Sequence, residues 1–362
     1  MLKHSIENPE RIQSALTGCL LGTALGDALG LPSEGLSYRR QHAMFPDLEH
    51  YHFIFRRGMF SDDTEHLTLV AQALIGAQGN PAVFARKLSW KLRFWLLGLP
   101  AGIGLSTLQG IIRLWLGISP LESGVFSAGN GPAMRASLLG ILFLEEPDVL
   151  KHYNRISTRM THTDPRAEFG ALVLAVAAGM AARSDHVEPR EFYQQIRQIL
   201  PEEAHDLLLL MEQAVRNFEA RKTLSEFLAG LKCENGISGY IYHTVPAVIY
   251  TWFKNQGNFR RGVSDIIRCG GDTDTTGALL GGIIGAQIGH EKLPSELLKR
   301  LWEWPRNVEW IQALGERLGQ TCLLGEPQPE LPLNWPGVLL RNFVFLLIVI
   351  IHGFRRFLPP YK

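Results

Sequence analysis

Two short loops of this 362-residue chain carry pairs of aspartates beside hydroxyl side chains. They contain Ser61, Asp62 and Asp63 in the first loop and Asp272, Asp274 and Thr275 in the second. Four carboxylates held close together repel one another unless a cation lies between them. Oxygen ligands without a nearby His or Cys select hard ions such as Mg²⁺ or Mn²⁺. Such a set suits two ions, which can bind sugar hydroxyls and orient a water.

Each aspartate pair, taken alone, has a simpler interpretation. Asp, Ser and Thr are favoured at helix N-termini, where they cap the first turn and interact with the helix dipole. Both loops come immediately before a helical pattern. The metal-binding interpretation therefore depends on whether the fold brings the two loops together.

Two glycine-rich segments near opposite ends of the chain are the elements that would join these loops. Glycine recurs at every fourth residue from Gly18 to Gly30 and again from Gly277 to Gly289. This spacing places the glycines on one helical stripe, although each glycine costs roughly 1 kcal/mol relative to alanine. We expect two helices whose backbones pack closely in the core. A membrane pair is the alternative, because this spacing is also common there, but Asp27 interrupts the first stripe.

The rest of the chain also has helical patterns, and strand-like alternation of β-branched residues is nearly absent. Glu168 to Arg183 predicts a helix that Thr163 or Asp164 can cap. Glu203 to Leu231 predicts an amphipathic outer helix. The sequence thus predicts an all-α fold.

The amino-acid composition limits the classes of protein to which the chain can belong. Hydrophobic residues make up 46% of the chain, and 36 Lys and Arg nearly balance 35 Asp and Glu. A nucleic-acid binder normally shows a basic excess or stripe, so nucleic acid is disfavoured as the main partner. The four separated cysteines lack zinc-type spacing. The polar N-terminus lacks the apolar core of a signal peptide, and we expect a cytoplasmic protein.

Five runs of residues form a more specific pattern together than any of them does alone. The runs are Gly22 to Gly30 with Glu34, Ser61 to Thr64, Gly129 to Arg135, Thr161 to Pro165 and Gly270 to Thr275. In this order they resemble the motifs of the ADP-ribosylglycohydrolase family, which includes the dinitrogenase-reductase-activating glycohydrolases. The resemblance implies an all-α, orthogonal multi-helix bundle with a central two-metal cleft. We place this domain at residues 1–330.

The resemblance also implies roles for individual residues. It assigns two Mg²⁺ or Mn²⁺ ions to Ser61, Asp62, Asp63, Asp272, Asp274 and Thr275. It assigns contacts with ADP-ribose to Gly129, Asn130, Gly131, Met134, Arg135 and His162. It assigns the chemistry to Glu34, Asp62, Asp63 and Asp274. Asp27 is expected to orient the metal loop through hydrogen bonds.

Several of these residues have other interpretations when considered alone. Glu34, considered alone, is interpreted as a solvated loop residue, whereas the resemblance implies a catalytic or gating role for it. A lone histidine such as His162 is more often structural than catalytic, and Asn130-Gly131 is more often only a turn. The sequence favours neither of two partners for Arg135, a phosphate or a structural carboxylate.

The implied reaction is hydrolysis of the N- or O-glycosidic bond between ADP-ribose and a modified acceptor, such as an arginine side chain of a protein. Serine, nucleic-acid and small-molecule acceptors stay open. Immunity against an ADP-ribosylating toxin, with that transferase as partner, is a further role found in the family. Two alternatives are a non-catalytic binding or structural member of the family and another two-metal hydrolase, such as a phosphatase.

The C-terminal segment, residues 331–362, lies outside the resemblance. Phe343 to Ile351 is an unbroken apolar run, shorter than the about 20 residues that span a bilayer. Its residues cover all sides of a helix, which argues against an interfacial amphipathic helix. Packing on the enzyme body or docking a partner is favoured over membrane attachment, since an exposed apolar patch is a liability. We expect deletion of Val338 to Lys362 to spare the metal site and promote aggregation.

Overall fold

The structure, a computed structural model, describes residues 8–325 and 328–358, so residues 1–7, 326–327 and 359–362 lie outside it. Within these ranges the chain forms helices and a few isolated bridges but no strand, which confirms the all-α fold. The α-helices are α1 (Pro9–Gly30), α2 (Tyr38–Met44), α3 (Asp62–Ala77), α4 (Pro81–Leu97), α5 (Leu105–Trp115), α6 (Ser137–Phe143), α7 (Pro147–Arg159), α8 (Pro165–Arg183), α9 (Pro189–Ile199), α10 (His205–Glu219), α11 (Leu224–Gly230), α12 (Ile241–Asn255), α13 (Phe259–Ile267), α14 (Thr273–Ile288), α15 (Ser295–Arg300), α16 (Val308–Leu324) and α17 (Trp335–Arg355).

The centre of the fold is the antiparallel pair α1 and α14. Their glycine stripes face each other so closely that a Cβ on Gly26 would lie 2.0 Å from the carbonyl oxygen of Gly277. A Cβ on Gly18 would lie 2.2 Å from the carbonyl oxygen of Gly285. Only glycine permits this approach, so the expected close-packed pair of core helices is confirmed.

This pair also brings the site loops together. At the C-terminal end of α1, the Thr273 hydroxyl donates a hydrogen bond of 2.8 Å to the carbonyl of Gly30. The loop that follows α1 therefore starts beside the first turn of α14. The carboxylate of Asp27, inside α1, accepts a 2.9 Å hydrogen bond from the backbone N–H of Ser61, which precedes α3. Three elements distant in sequence thus meet at one point.

Two other helix predictions have different outcomes. The helix α8 begins after Asp164, whose side chain accepts from the N–H of Arg166, as the sequence predicts. The single helix expected from Glu203 to Leu231 is wrong, because α10 ends at Glu219 and α11 begins at Leu224. Arg221 takes a left-handed backbone conformation with φ of 56° between them. Thr223 and Glu226 then form a capping box, which starts a new helix.

Three helices of the described chain are long and apolar enough to cross a membrane by length and composition: Pro9–Ser33, Pro165–Arg183 and Trp335–Arg355. The first two are 94% and 72% buried inside the protein, whereas the third is only 28% buried. The expectation that the C-terminal apolar run is too short is therefore wrong for the helix as a whole. Its helix extends eight residues before Phe343, through the polar Arg341 and Asn342.

Candidate active site

The first aspartate loop is held by the buried carboxylate of Asp27. Its oxygens accept hydrogen bonds from the N–H groups of Ser61 and Thr64 and, at 2.6 Å, from the Thr64 hydroxyl. Ser61 caps α3 and accepts from the N–H of Asp63. Asp27 thus makes the hydrogen bonds that we expected of it. Burial raises the pKa of Asp27 to about 7, although the same hydrogen bonds oppose the shift.

The second aspartate loop depends on two glycines with positive φ, Gly270 at 75° and Gly271 at 83°. A Cβ on Gly271 would also lie 2.0 Å from the carbonyl oxygen of Ile237. The N–H of Asp272 donates to that same carbonyl at 2.7 Å. This tight turn places Asp272 at the N-cap of α14 and Asp274 in its first turn.

Side-chain hydrogen bonds connect the aspartate loops with each other and with a third loop. The Thr275 hydroxyl donates to Asp63 at 3.1 Å, across 212 residues of sequence. The Asn130 side-chain amide donates to Asp272 at 2.6 Å and to the Thr244 hydroxyl at 3.0 Å. The two aspartate loops therefore lie side by side. The metal-binding interpretation depended on this proximity.

The carboxylates of this centre are crowded and dehydrated. Burial raises the pKa values of Asp62, Asp63 and Asp274 well above the ordinary value, and neighbouring carboxylates add to each shift. The Oδ1 atom of Asp63 is buried and has no hydrogen-bond partner. Among the described residues, no group of three or more His, Cys, Asp or Glu has the geometry of a metal site as the side chains stand. The available donors are nevertheless all oxygens, the class that hard cations prefer.

A cavity of about 310 Å³ opens over these carboxylates. Ten predicted residues line it: Glu34, Asp62, Gly129, Asn130, Gly131, Met134, His162, Asp272, Asp274 and Thr275. Ser61, Asp63 and Arg135 are predicted site residues that do not line the cavity. None of the described residues that line it is Lys or Arg.

Glu34 lies at the edge of the cavity in the turn that follows α1. The backbone holds this turn against the second aspartate loop, because the Gly35 N–H donates to the Gly271 carbonyl at 2.7 Å. The Glu34 side chain remains solvent-exposed. Partial desolvation, together with the nearby Asp272 carboxylate, raises its pKa.

The Gly129–Gly131 loop packs against the ring of His162. A Cβ on Gly129 or on Gly131 would lie 3.0 Å from that ring, so glycine lets the loop approach it. The backbone N–H of Asn130 donates to the Gly239 carbonyl, so it is not free to bind a phosphate. Burial, assisted by the charge of Arg135, lowers the pKa of His162 to about 3, so this ring is neutral.

Arg135 lies behind the cavity rather than in it. It is fully buried, in the short 3₁₀ turn Ala133–Arg135. Its guanidinium donates to the Thr161 hydroxyl at 2.6 Å and lies 3.4 Å from Nδ1 of His66. A direct contact between Arg135 and a bound phosphate is inconsistent with this burial. Burial lowers its pKa to about 10, and the charge of Asp62 opposes that shift.

Comparison with known proteins decides the family. A sequence model described as ADP-ribosylglycohydrolase matches residues 8–327. The chain belongs to the ADP-ribosylglycohydrolase family. It is 26% identical to the ADP-ribosyl-[dinitrogen reductase] glycohydrolase of Rhodospirillum rubrum, covering 78% of this chain and 89% of that one. It is also 26% identical to the ADP-ribosylhydrolase ARH3 of Gallus gallus, covering 82% and 89%.

A solved structure, described as an ADP-ribosylglycohydrolase-related protein complex, has the same fold. It aligns with a TM-score of 0.59 and 24% identity, covering 87% of this chain and 100% of that one. Because the family and these relatives are ADP-ribosyl hydrolases, the prediction that this chain is an ADP-ribosyl hydrolase is confirmed.

One wall of this hydrolase's cavity was not predicted from the sequence. The loop before α5 supplies Gly102 and Gly104, and the first turn of α5 supplies Leu105, Ser106 and Thr107. A signal was present, since two glycines and two hydroxyl residues stand immediately before or at a helix N-terminus. A Cβ on Gly102 or Gly104 would meet no atom within 4 Å. Open space, rather than tight packing, surrounds these glycines.

Proposed function

We propose that this enzyme hydrolyses the glycosidic bond between ADP-ribose and an arginine side chain of a modified protein, with two Mg²⁺ or Mn²⁺ ions. The observation that carries the proposal is one cavity that combines Glu34, Asp62, Asp272 and Asp274 with the Gly129–Gly131 loop. Its volume of about 310 Å³ falls in the range of small-molecule sites. The Rhodospirillum rubrum relative is named for a protein acceptor, which supports a protein substrate.

The electrostatics of the cavity favour bound cations. ADP-ribose carries a diphosphate, and a cavity lined by four carboxylates and no Lys or Arg would repel it. Ser61, Asp62, Asp63, Asp272, Asp274 and Thr275 are the residues that would hold the ions. The partnerless Oδ1 of Asp63 is a ligand position consistent with this role. When bound, divalent ions would offset the carboxylate charge and hold the ribose hydroxyls.

The other cavity residues bind and orient the nucleotide. Ser106 and Thr107 supply hydroxyls, and His162 supplies a neutral ring, so these groups can hydrogen-bond an anion without adding charge. The glycines of the Gly129–Gly131 loop let the ligand approach the backbone. Asn130 holds Asp272 in place through its 2.6 Å hydrogen bond.

In the reaction, water attacks the anomeric carbon of the ribose as the bond to the guanidine nitrogen breaks. The transition state has oxocarbenium character, as in other glycoside hydrolyses. The water proton passes to a carboxylate, and the leaving nitrogen gains a proton from a carboxylic acid. We assign both transfers to Glu34, the exposed carboxyl group at the cavity edge. Protonated Glu34 gives its proton to the leaving nitrogen, and the resulting carboxylate takes the proton of the attacking water. The buried aspartates hold charge around the ribose.

A panel of arginine-, serine- and DNA-linked ADP-ribose tests the substrate and the reaction class. We expect release of free ADP-ribose, fastest from the arginine linkage. Release of inorganic phosphate would favour a phosphatase, and binding without turnover would favour a non-catalytic family member. Toxin immunity and a cytoplasmic location stay predictions. Co-expression with an arginine-specific ADP-ribosyltransferase toxin would test immunity, because a protective enzyme restores growth.

A further inference from the structure

The helix α17 has polar side chains on its buried side and apolar side chains on its exposed side, the reverse of an ordinary surface helix. Three of its polar residues face the protein. Arg341 donates at 2.6 Å to the carbonyl of Phe60, and Asn342 donates at 2.6 Å to that of Gly98. Near its C-terminal end, His352 Nε2 lies 2.7 Å from the carbonyl oxygen of Pro32. These contacts hold the helix lengthwise against the body.

The opposite face of α17 is apolar and exposed. Its members are Leu339, Leu340, Phe343, Leu346, Leu347, Ile350, Ile351 and Phe354, which recur at helical spacing. Phe343 and Ile351 are 60% and 61% exposed. We call these eight side chains the outer face. The prediction that apolar residues cover all sides of this helix is wrong, because buried polar residues on the opposite side separate a buried set from this outer face.

The exposed apolar surface continues onto α4 and α5. The rings of Phe94 and Trp335 lie 6.0 Å apart, and those of Phe94 and Trp115 lie 6.4 Å apart. Trp90 extends the cluster, 6.2 Å from Trp115. All four aromatic residues are partly exposed. Tryptophan at the border of an apolar surface is typical of proteins that contact the lipid headgroup region.

The charged residues of the C-terminal segment are all positive. Residues 331–362 contain no Asp or Glu, and their cationic residues are Arg341, Arg355, Arg356 and Lys362. Glu303 neutralises Arg341 through a buried ion pair of 2.5 Å. Arg356 donates a hydrogen bond to the Glu34 carbonyl and is attracted by the Glu34 carboxylate, while Arg40 adds another positive charge beside it. With Arg355, Arg356 and Lys362, the C-terminal end of the segment carries an excess of positive charge, which complements an anionic surface.

We propose that the outer face of α17 binds the surface of an anionic lipid bilayer, with the helix lying in the plane of the interface. Buried apolar area and electrostatic attraction to anionic lipid are the two contributions that set the membrane affinity of an interfacial helix. A spanning orientation would break the contacts of Arg341, Asn342 and His352 with the body. A second copy of this chain would offer no acidic residue from its own α17 to the cationic end.

Vesicle flotation of the full chain tests this proposal, because aggregated protein sinks whereas vesicle-bound protein floats. We expect binding to vesicles that contain phosphatidylglycerol, weaker binding to pure phosphatidylcholine, and release at high salt. The double variant Phe343→Gln/Ile351→Gln should bind about tenfold or more weakly, since it loses two large apolar contacts. Leu209→Gln, on the exposed face of α10, is the matched control and should bind like the wild type.

Three results would overturn the proposal. The first is equal binding by the double variant and the wild type. The second is binding that resists both high salt and alkaline carbonate, which would indicate a spanning helix. The third is a stable dimer in solution that does not float with vesicles and that the double variant converts to a monomer, which would assign the outer face to a second copy.

Discussion

A Cβ placed on Gly22 would lie 2.2 Å from the carbonyl oxygen of Gly281, at the middle of the contact between α1 and α14. No side-chain rotation relieves such an overlap, because the obstructing atom belongs to the backbone. The contact therefore fixes the separation of the two helices. Through that separation it also fixes the distance between the loops that carry Glu34 and Asp272.

Gly22→Ala should lower the free energy of unfolding by about 3 kcal/mol, since one helix must move away from the other. Gly353→Ala is the control, because a Cβ there would meet no atom within 4 Å. It should be neutral or slightly stabilising, as alanine favours the helix. Chemical denaturation measures both variants. Equal stability of Gly22→Ala and the wild type would contradict the close approach.

Glu34→Gln should lower turnover at least about a hundredfold, the usual contribution of a general acid or base. Metal stoichiometry should stay unchanged, because the aspartates remain. Glu49→Gln alters an exposed glutamate outside the cavity and should leave the rate unchanged. If turnover of Glu34→Gln matches that of the wild type, Glu34 is only a solvated loop residue.

The buried neutral ring of His162 should make stability depend on pH. Burial lowers its pKa from 6.5 to about 3, so below pH 6.5 the unfolded chain binds a proton that the folded protein does not. Protonation of His162 in the unfolded chain therefore lowers the free energy of unfolding by about 2 kcal/mol as the pH falls from about 6.5 to 5. The buried aspartates, whose pKa values are raised, act in the opposite direction. The difference between the wild type and His162→Asn is thus the quantity to measure.

His162→Asn should lose less stability than the wild type over this pH interval. Denaturation at several pH values, at constant ionic strength, provides the comparison. Parallel curves for the two proteins would show that His162 does not stay neutral in the folded state.

Arg341 connects the C-terminal helix to the first aspartate loop. It pairs with Glu303 and donates to the Phe60 carbonyl, and Glu303 accepts the Phe60 N–H at 2.9 Å. Deletion of Val338 to Lys362 would remove this arginine and leave Glu303 buried without its cation. Our expectation that the deletion spares the site therefore lacks structural support.

Arg341→Met should cost about 3–5 kcal/mol, the usual penalty for breaking a buried ion pair. The double variant Arg341→Met/Glu303→Gln should recover part of that loss, because it removes the unpaired charge at position 303, while Glu65, the second carboxylate near Arg341, keeps its ion pair with Arg306. Arg190→Met breaks an exposed pair with Glu219 and should have little effect. A double variant less stable than Arg341→Met would refute the ion-pair explanation.

Local patterns predicted much of the fold and the contents of the cavity. Fourfold glycine spacing predicted the contact of α1 and α14, and the aspartates beside hydroxyls predicted the loops at α3 and α14. Periodicity could not reveal which neighbour a side chain meets. It therefore did not show that Arg135 is buried outside the cavity lining or that the outer face of α17 is exposed within the described residues. The break at Arg221 depends on one left-handed residue, which helical periodicity does not encode.

The most direct test of the central claim is the rate of ADP-ribose release from arginine-ADP-ribosylated protein, measured for the wild type and for Asp272→Asn. We predict that chelation abolishes wild-type activity and that Mg²⁺ or Mn²⁺ restores it. Asp272→Asn should stay inactive with either ion while its helical content matches the wild type. Full activity of the metal-free wild type, or of Asp272→Asn, would contradict a metal-assisted site built on these carboxylates.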